Sequence, residues 1–114
     1  MVSLHPYFKP HTGKMETVLE LMPMFVARTQ PEVGNLFYEF TVNENEVFCR
    51  EGYVGAVGVL AHLANVHDLL EELLQSATLH RLEIHGPAAE LEKLTEAFSG
   101  MSPIYYTSVC SVKR

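Results

Sequence analysis

Hydrophobic and polar positions change period several times along the chain, and each change marks an element. Val2 to Phe8 is short, apolar and aromatic, with Pro6 inside it, which predicts a strand near a sheet edge or one that bulges at Pro6. After the punctuation of Pro10-His11-Thr12-Gly13, with Thr12 free to cap the next element, Met15, Val18, Leu19, Met22 and Val26 recur at helical intervals. They predict one helix over residues 14–30, kinked at Pro23. From Leu36 to Val42 the period drops to two, and Asn43-Glu44-Asn45-Glu46 then turns the chain into a return strand over residues 47–53. On that strand Val47, Cys49, Glu51 and Tyr53 share one face, and Phe48, Arg50 and Gly52 the other.

Residues 55–65 read as a short helix weakened by Gly55 and Gly58, followed by a second helical stretch with Val66, Leu69, Leu70, Leu73 and Leu74 as its apolar stripe. Leu79 to His85 is a further strand. Pro87 opens a last helix with Ala88, Leu91, Leu94 and Phe98 as its buried face, and Ile104 to Val109 is the final strand. The order β-α-β-β-α(α)-β-α-β predicts an α+β chain with a ferredoxin-like antiparallel sheet and helices on one face. The other face needs cover. Phe37, Phe48, Leu79 and Tyr105 are the candidate residues of that face, and a second copy packed sheet to sheet is the simplest partner.

A chain of 114 residues has room for one domain, expected over residues 1–114. Eight basic against fourteen acidic residues leave a net charge of −6, which disfavours nucleic acid and an anionic lipid surface as partners. The longest uncharged stretches are interrupted by glycine, proline and polar residues, so no spanning helix is expected, and the first residues lack the features of a signal peptide. Cys49 and Cys110 are sixty-one residues apart and read as two buried or half-buried free thiols. A cytoplasmic location is the resulting expectation.

The stretch Arg50-Glu51-Gly52-Tyr53, followed by Ala61-His62-Leu63-Ala64-Asn65-Val66-His67, resembles the antibiotic biosynthesis monooxygenase family of dimeric α+β-barrel proteins. The glycine-led segment Gly34-Asn35-Leu36-Phe37-Tyr38-Glu39-Phe40 resembles that family's second strand, and the similarity in element order extends over about residues 2–110. The resemblance implies a homodimer and oxidation of a small aromatic or quinol-like molecule by dioxygen, without a cofactor. The chain departs from the family in carrying Tyr53 where a tryptophan is common, and it has no tryptophan at all. That departure argues against the haem binding and breakdown of some members.

His62 and Glu51 are the candidate catalytic residues. An imidazole accepts a proton near neutral pH, and Glu51 or Tyr53 can orient it. Tyr53, Asn65 and His67 are candidate hydrogen-bonding groups for substrate, and Tyr38, Phe40, Phe25 and Met22 candidate lining. His62 and His67, five apart on a helix, cannot grip one metal ion together, and His80 and His85, five apart on a strand, are expected on opposite faces. No metal is expected. Glu51, if its face is the helix-covered one, must be paired or protonated, with His5 and Arg81 as structural partners to weigh against a catalytic role. A non-catalytic domain that holds a small apolar ligand in the same cleft is the competing expectation.

Overall fold

A computed structural model describes residues 1–113 of the chain. Five strands form one sheet in the order β2-β3-β1-β4-β5: β1 Val2–Pro10, β2 Asn35–Asn43, β3 Glu46–Tyr53, β4 Ala77–Gly86 and β5 Ile104–Thr107. The first four pair antiparallel, and β5 adds to β4 in parallel. Helices α1 Met15–Thr29, α2 Ala56–Ser76 and α3 Ala88–Glu92 complete the α+β, ferredoxin-like arrangement that the element order predicts. No helix among the described residues is long and apolar enough to cross a membrane.

Several local expectations are corrected. β1 is the central strand, not an edge strand. Its partners on β3 are Val2–Leu4 and Tyr7–Phe8, so the ladder skips His5 and Pro6, where proline has no donor to give. The bulge falls between Tyr7 and Phe8, opposite His80 on β4, and not at Pro6. That extra residue undoes the strict alternation on β4. His80 and His85 both lie among the aromatic rings of the open sheet face, against Tyr7 and Tyr106 respectively, and not on opposite faces.

Helix α1 runs unbroken through Pro23, and its start carries no side-chain cap from Thr12. The two helical stretches expected after residue 55 are one helix of 21 residues. Gly58 sits where that helix crosses the β2 entrance. A Cβ there would lie 2.9 Å from the Gly34 carbonyl oxygen, so close approach, not helix weakening, explains the glycine. Helix α3 is a single short turn with Ala88 exposed, yet Leu91, Leu94 and Phe98 are buried as the periodicity requires. Cys49 is buried, but Cys110 is exposed.

Two apolar clusters sit between sheet and helices. One gathers Leu4, Tyr53, Ile84, Leu91 and Phe98 under α3, and the other gathers Phe8, Val18, Phe25, Val47 and Leu73 under α1. Helix α2 contributes to both, with Ala56 and Val59 in the first and Val66, Leu69 and Leu73 in the second. The opposite sheet face carries Phe37, Phe48 and Tyr7, with Tyr7 and Phe48 rings 4.7 Å apart. Leu79 and Tyr105, expected on that open face, instead pack against the core: the bulge turns Leu79 inward opposite Phe8, and Tyr105 pairs with inward-facing Ile84.

Candidate functional site

The site lies where the two clusters part. Strand alternation places Cys49, Glu51 and Tyr53 on the helix-covered face of β3, and the buried stripe of α2 brings His62 over them. Glu51 and His62 are 5 % and 3 % exposed, the only charged or imidazole side chains buried so fully among the described residues. A carboxyl group in that position demands partners or a proton.

Glu51 finds both. The Tyr53 hydroxyl donates to Glu51 Oε1 at 2.6 Å, and His62 Nε2 lies 3.6 Å from the same oxygen. Burial pushes the Glu51 carboxyl above the usual carboxylate range, although His62, Tyr53 and Cys49 pull the other way. Burial likewise raises Tyr53, Tyr38 and Cys49, each raised further by the nearby Glu51 carboxyl, so all three remain neutral beside it. His5 and Arg81, weighed as structural partners of Glu51, are on the far side of the sheet: His5 packs on Phe48, and Arg81 pairs with Glu83.

The other imidazole nitrogen is held by a residue absent from the candidates drawn from the sequence. Glu32, in the turn after α1, places Oε2 2.8 Å from His62 Nδ1. Asn65 donates from its side-chain nitrogen to the same Oε2 at 2.7 Å and to the Arg28 carbonyl at 2.8 Å. A carboxylate accepts only, so Nδ1 carries a proton, and the Nε2 side of the ring faces Glu51. Glu32 Oε1 is buried without a partner and remains a spare acceptor beside the pair. Nothing in the turn Gln30-Pro31-Glu32 signals this role locally, because the contact spans thirty residues.

A cavity of about 60 Å³ opens beside this pair. Glu51, His62, Cys49 and Tyr38 supply its polar atoms at one end, and the remaining wall is leucine, phenylalanine and their like. Of the lining expected from sequence, Tyr38, Phe40 and Phe25 do line it. The Tyr38 ring packs 5.1 Å from His62 and 5.4 Å from Phe40. Met22 instead faces a shallow outer groove between α1 and β2. Tyr53 stands behind Glu51 and does not border the cavity, and Asn65 is spent on Arg28 and Glu32. His67 is outside the site altogether: it is mid-helix, exposed, and paired with Glu71 at 2.7 Å. No three histidine, cysteine, aspartate or glutamate side chains among the described residues come together as metal ligands.

A ferredoxin-like sheet covered by helices on one face defines a class of small α+β proteins, and solved structures share this fold. MupZ from Pseudomonas fluorescens is 33% identical, with a TM-score of 0.93 over 99% of this chain and 93% of that one. An antibiotic biosynthesis monooxygenase superposes at a TM-score of 0.65 with 16% identity over 74% and 93% of the two chains. Rv0793 from Mycobacterium tuberculosis gives 0.65 and 16% over 73% and 90%. No family model matches the sequence, and no curated protein does. The chain belongs to one family with MupZ, and it has the fold of the antibiotic biosynthesis monooxygenases.

Proposed function

We propose that this chain is a cofactor-independent monooxygenase that oxidises a small aromatic or quinol-like substrate with dioxygen, with His62 as its base. The hydrogen bond from His62 Nδ1 to Glu32 carries the reading, because it leaves Nε2 as an acceptor at the polar end of an otherwise apolar cavity. In this reading His62 Nε2 takes a proton from the substrate, and the resulting electron-rich anion reacts with dioxygen to form a peroxide. Loss of water from that peroxide leaves one oxygen atom on the substrate as a carbonyl, and the second departs with the two hydrogens of the oxidised carbon. Glu51, whose carboxyl burial pushes toward the protonated form, donates to the departing oxygen. Tyr38, Phe40 and Phe25 border the reacting group.

One observation favours a second reading. A carboxyl pushed toward its protonated form by burial lies 3.6 Å from an imidazole nitrogen, a pairing of acid and base that suits a reaction without electron transfer, such as addition of a hydroxyl group or its elimination. Oxygen consumption by the pure protein against a panel of quinols and phenols separates the two. Uptake lost in His62→Ala supports the oxygenase. Turnover without uptake supports the second reading. Ligand binding with no turnover of any kind makes the chain a non-catalytic binding domain.

The same proposal includes a homodimer through the open sheet face, where Tyr7, Phe48, Phe37 and Tyr106 form an aromatic surface that a second copy would cover. It also includes a cytoplasmic location, which suits two free thiols.

A further inference from the structure

We infer that the substrate is an amphiphile: a reacting, hydroxylated head at Glu51 and His62, carrying a flexible alkyl tail that runs along α2 and leaves the protein between α2, β4 and the turn at Met101. The inference rests on the reading of Glu51 and His62 as the reacting end and names the substrate class that this end would serve. Eighteen residues border a cavity of only about 60 Å³, so the space is a narrow, drawn-out slot and not a rounded chamber. Its wall on α2 is one continuous face from His62 through Val66, Leu70 and Leu73 to Leu74. The twelve steps from His62 to Leu74 span about 18 Å at the rise of an α-helix. Only the His62 end is polar.

The far end lies against the surface. Leu74, Leu79, Leu82 and Met101 line both the slot and a surface depression of about 400 Å³, in which His11, Thr78 and Ser102 are further neighbours. The depression exists because β5 covers only Glu83 to Gly86 of β4, leaving residues 77–82 of that strand without a neighbour on this side. Leu74 is 40 % exposed there, and Met101 is half-buried, an unbranched side chain suited to shift aside. A rigid multi-ring molecule does not fit so narrow a passage, whereas a chain of methylenes does, and it gains binding free energy from each wall it touches.

Calorimetric titration with straight-chain primary alcohols from butanol to decanol tests this. Each added methylene buried along the slot is expected to tighten binding about fourfold. Leu70→Phe, which narrows the middle of the slot, is expected to keep the short alcohols and remove the gain for the long ones. Met101→Trp, at the surface and tolerant of a larger ring, is expected to weaken decanol at least tenfold with butanol unchanged; it serves alone if Leu70→Phe does not fold. Affinity independent of chain length, or a gain that persists in both variants, overturns the inference. Chain-length-dependent binding in a protein that turns nothing over sustains the slot and removes the catalytic reading. Turnover of a compact phenol with no effect of an alkyl tail does the reverse.

Discussion

Tyr53 and Glu51 are two residues apart on β3, and the Tyr53 hydroxyl donates to Glu51 Oε1 at 2.6 Å inside the sheet–helix core. The pair points the same way because strand side chains repeat every second residue. Its burial raises the carboxyl pKa, and a raised pKa is a statement about stability as well as chemistry. The folded state holds the Glu51 proton more tightly than the unfolded chain. The contribution is therefore fully present below the ordinary value of 4.5 and is lost as pH rises through the higher folded value. Glu51→Gln, which cannot ionise, is expected to gain stability relative to the native protein as pH climbs from about 4.5 toward neutrality and above. Urea melts of both proteins across that range check it, and parallel curves would contradict a protonated Glu51.

Removing His62 leaves two acids without the group between them. His62→Ala is expected to lower kcat about a hundredfold or more if His62 is the base. It is also expected to destabilise the fold by about 1–3 kcal/mol, since Glu32 Oε2 loses a donor in a half-buried position. Steady-state rates and denaturant melts read the two effects separately.

Glu32 acts on the chemistry only through His62. Glu32→Gln can still contact Nδ1 but no longer demands that Nδ1 carry the proton, because an amide both donates and accepts. The expected result is a fall in kcat with little change in KM, and a visible change in the His62 ring nitrogen shifts by NMR. Asn65→Ala, which removes the second donor to Glu32 Oε2, is expected to move the same signals by less.

Gly58→Ala sets two effects against each other. Alanine favours a helix interior by about 1 kcal/mol over glycine. The new Cβ would stand 2.9 Å from the Gly34 carbonyl oxygen and 3.2 Å from Tyr53 Cβ, and the first is backbone that cannot swing aside. A lowered Tm is the expected net outcome, together with weaker activity, because Gly34 leads into the strand that carries Tyr38. A raised Tm would show that the β2 entrance yields easily.

The proposed dimer predicts that the native protein sediments at twice the chain mass of 12.8 kDa. Phe48→Glu on the open face is expected to shift it to the monomer without disturbing the core, since Phe48 packs on Tyr7 and His5 and not under the helices. Sedimentation that is monomeric for both proteins would remove the sheet-to-sheet partner.

Much of this protein is legible in its hydrophobic periods. The order of strands and helices, the shared face of Val47, Cys49, Glu51 and Tyr53, and the buried stripe of α2 all come from side-chain repeats of two and 3.6, which are local properties. Glu51 and His62 stand out for another reason, because they lie in the two segments that resemble the monooxygenase family and pair a carboxyl with an imidazole. The positions of Pro6, His80 and Leu79 are not legible in the same way. A strand's place in a sheet, and a single extra residue opposite Tyr7 and Phe8, depend on which strands pair.

The site divides along the same line. Sequence alone determined that Glu51 shares a strand face with Val47, Cys49 and Tyr53 and that His62 sits on a helix, because side-chain repeats are local. It left open which face of the sheet the helices would cover. Only the tertiary structure decided what each would meet. Glu32 reaches His62 across thirty residues from a turn with no regular pattern, and Asn65 is claimed by Arg28 and Glu32 instead of by a ligand. His67 lies five residues beyond His62, and 3.6 residues per turn carry it round to solvent. The cavity, too, belongs to no segment: it is the gap left where two apolar clusters meet on one long helix, and that gap depends on the volumes of side chains from the whole chain.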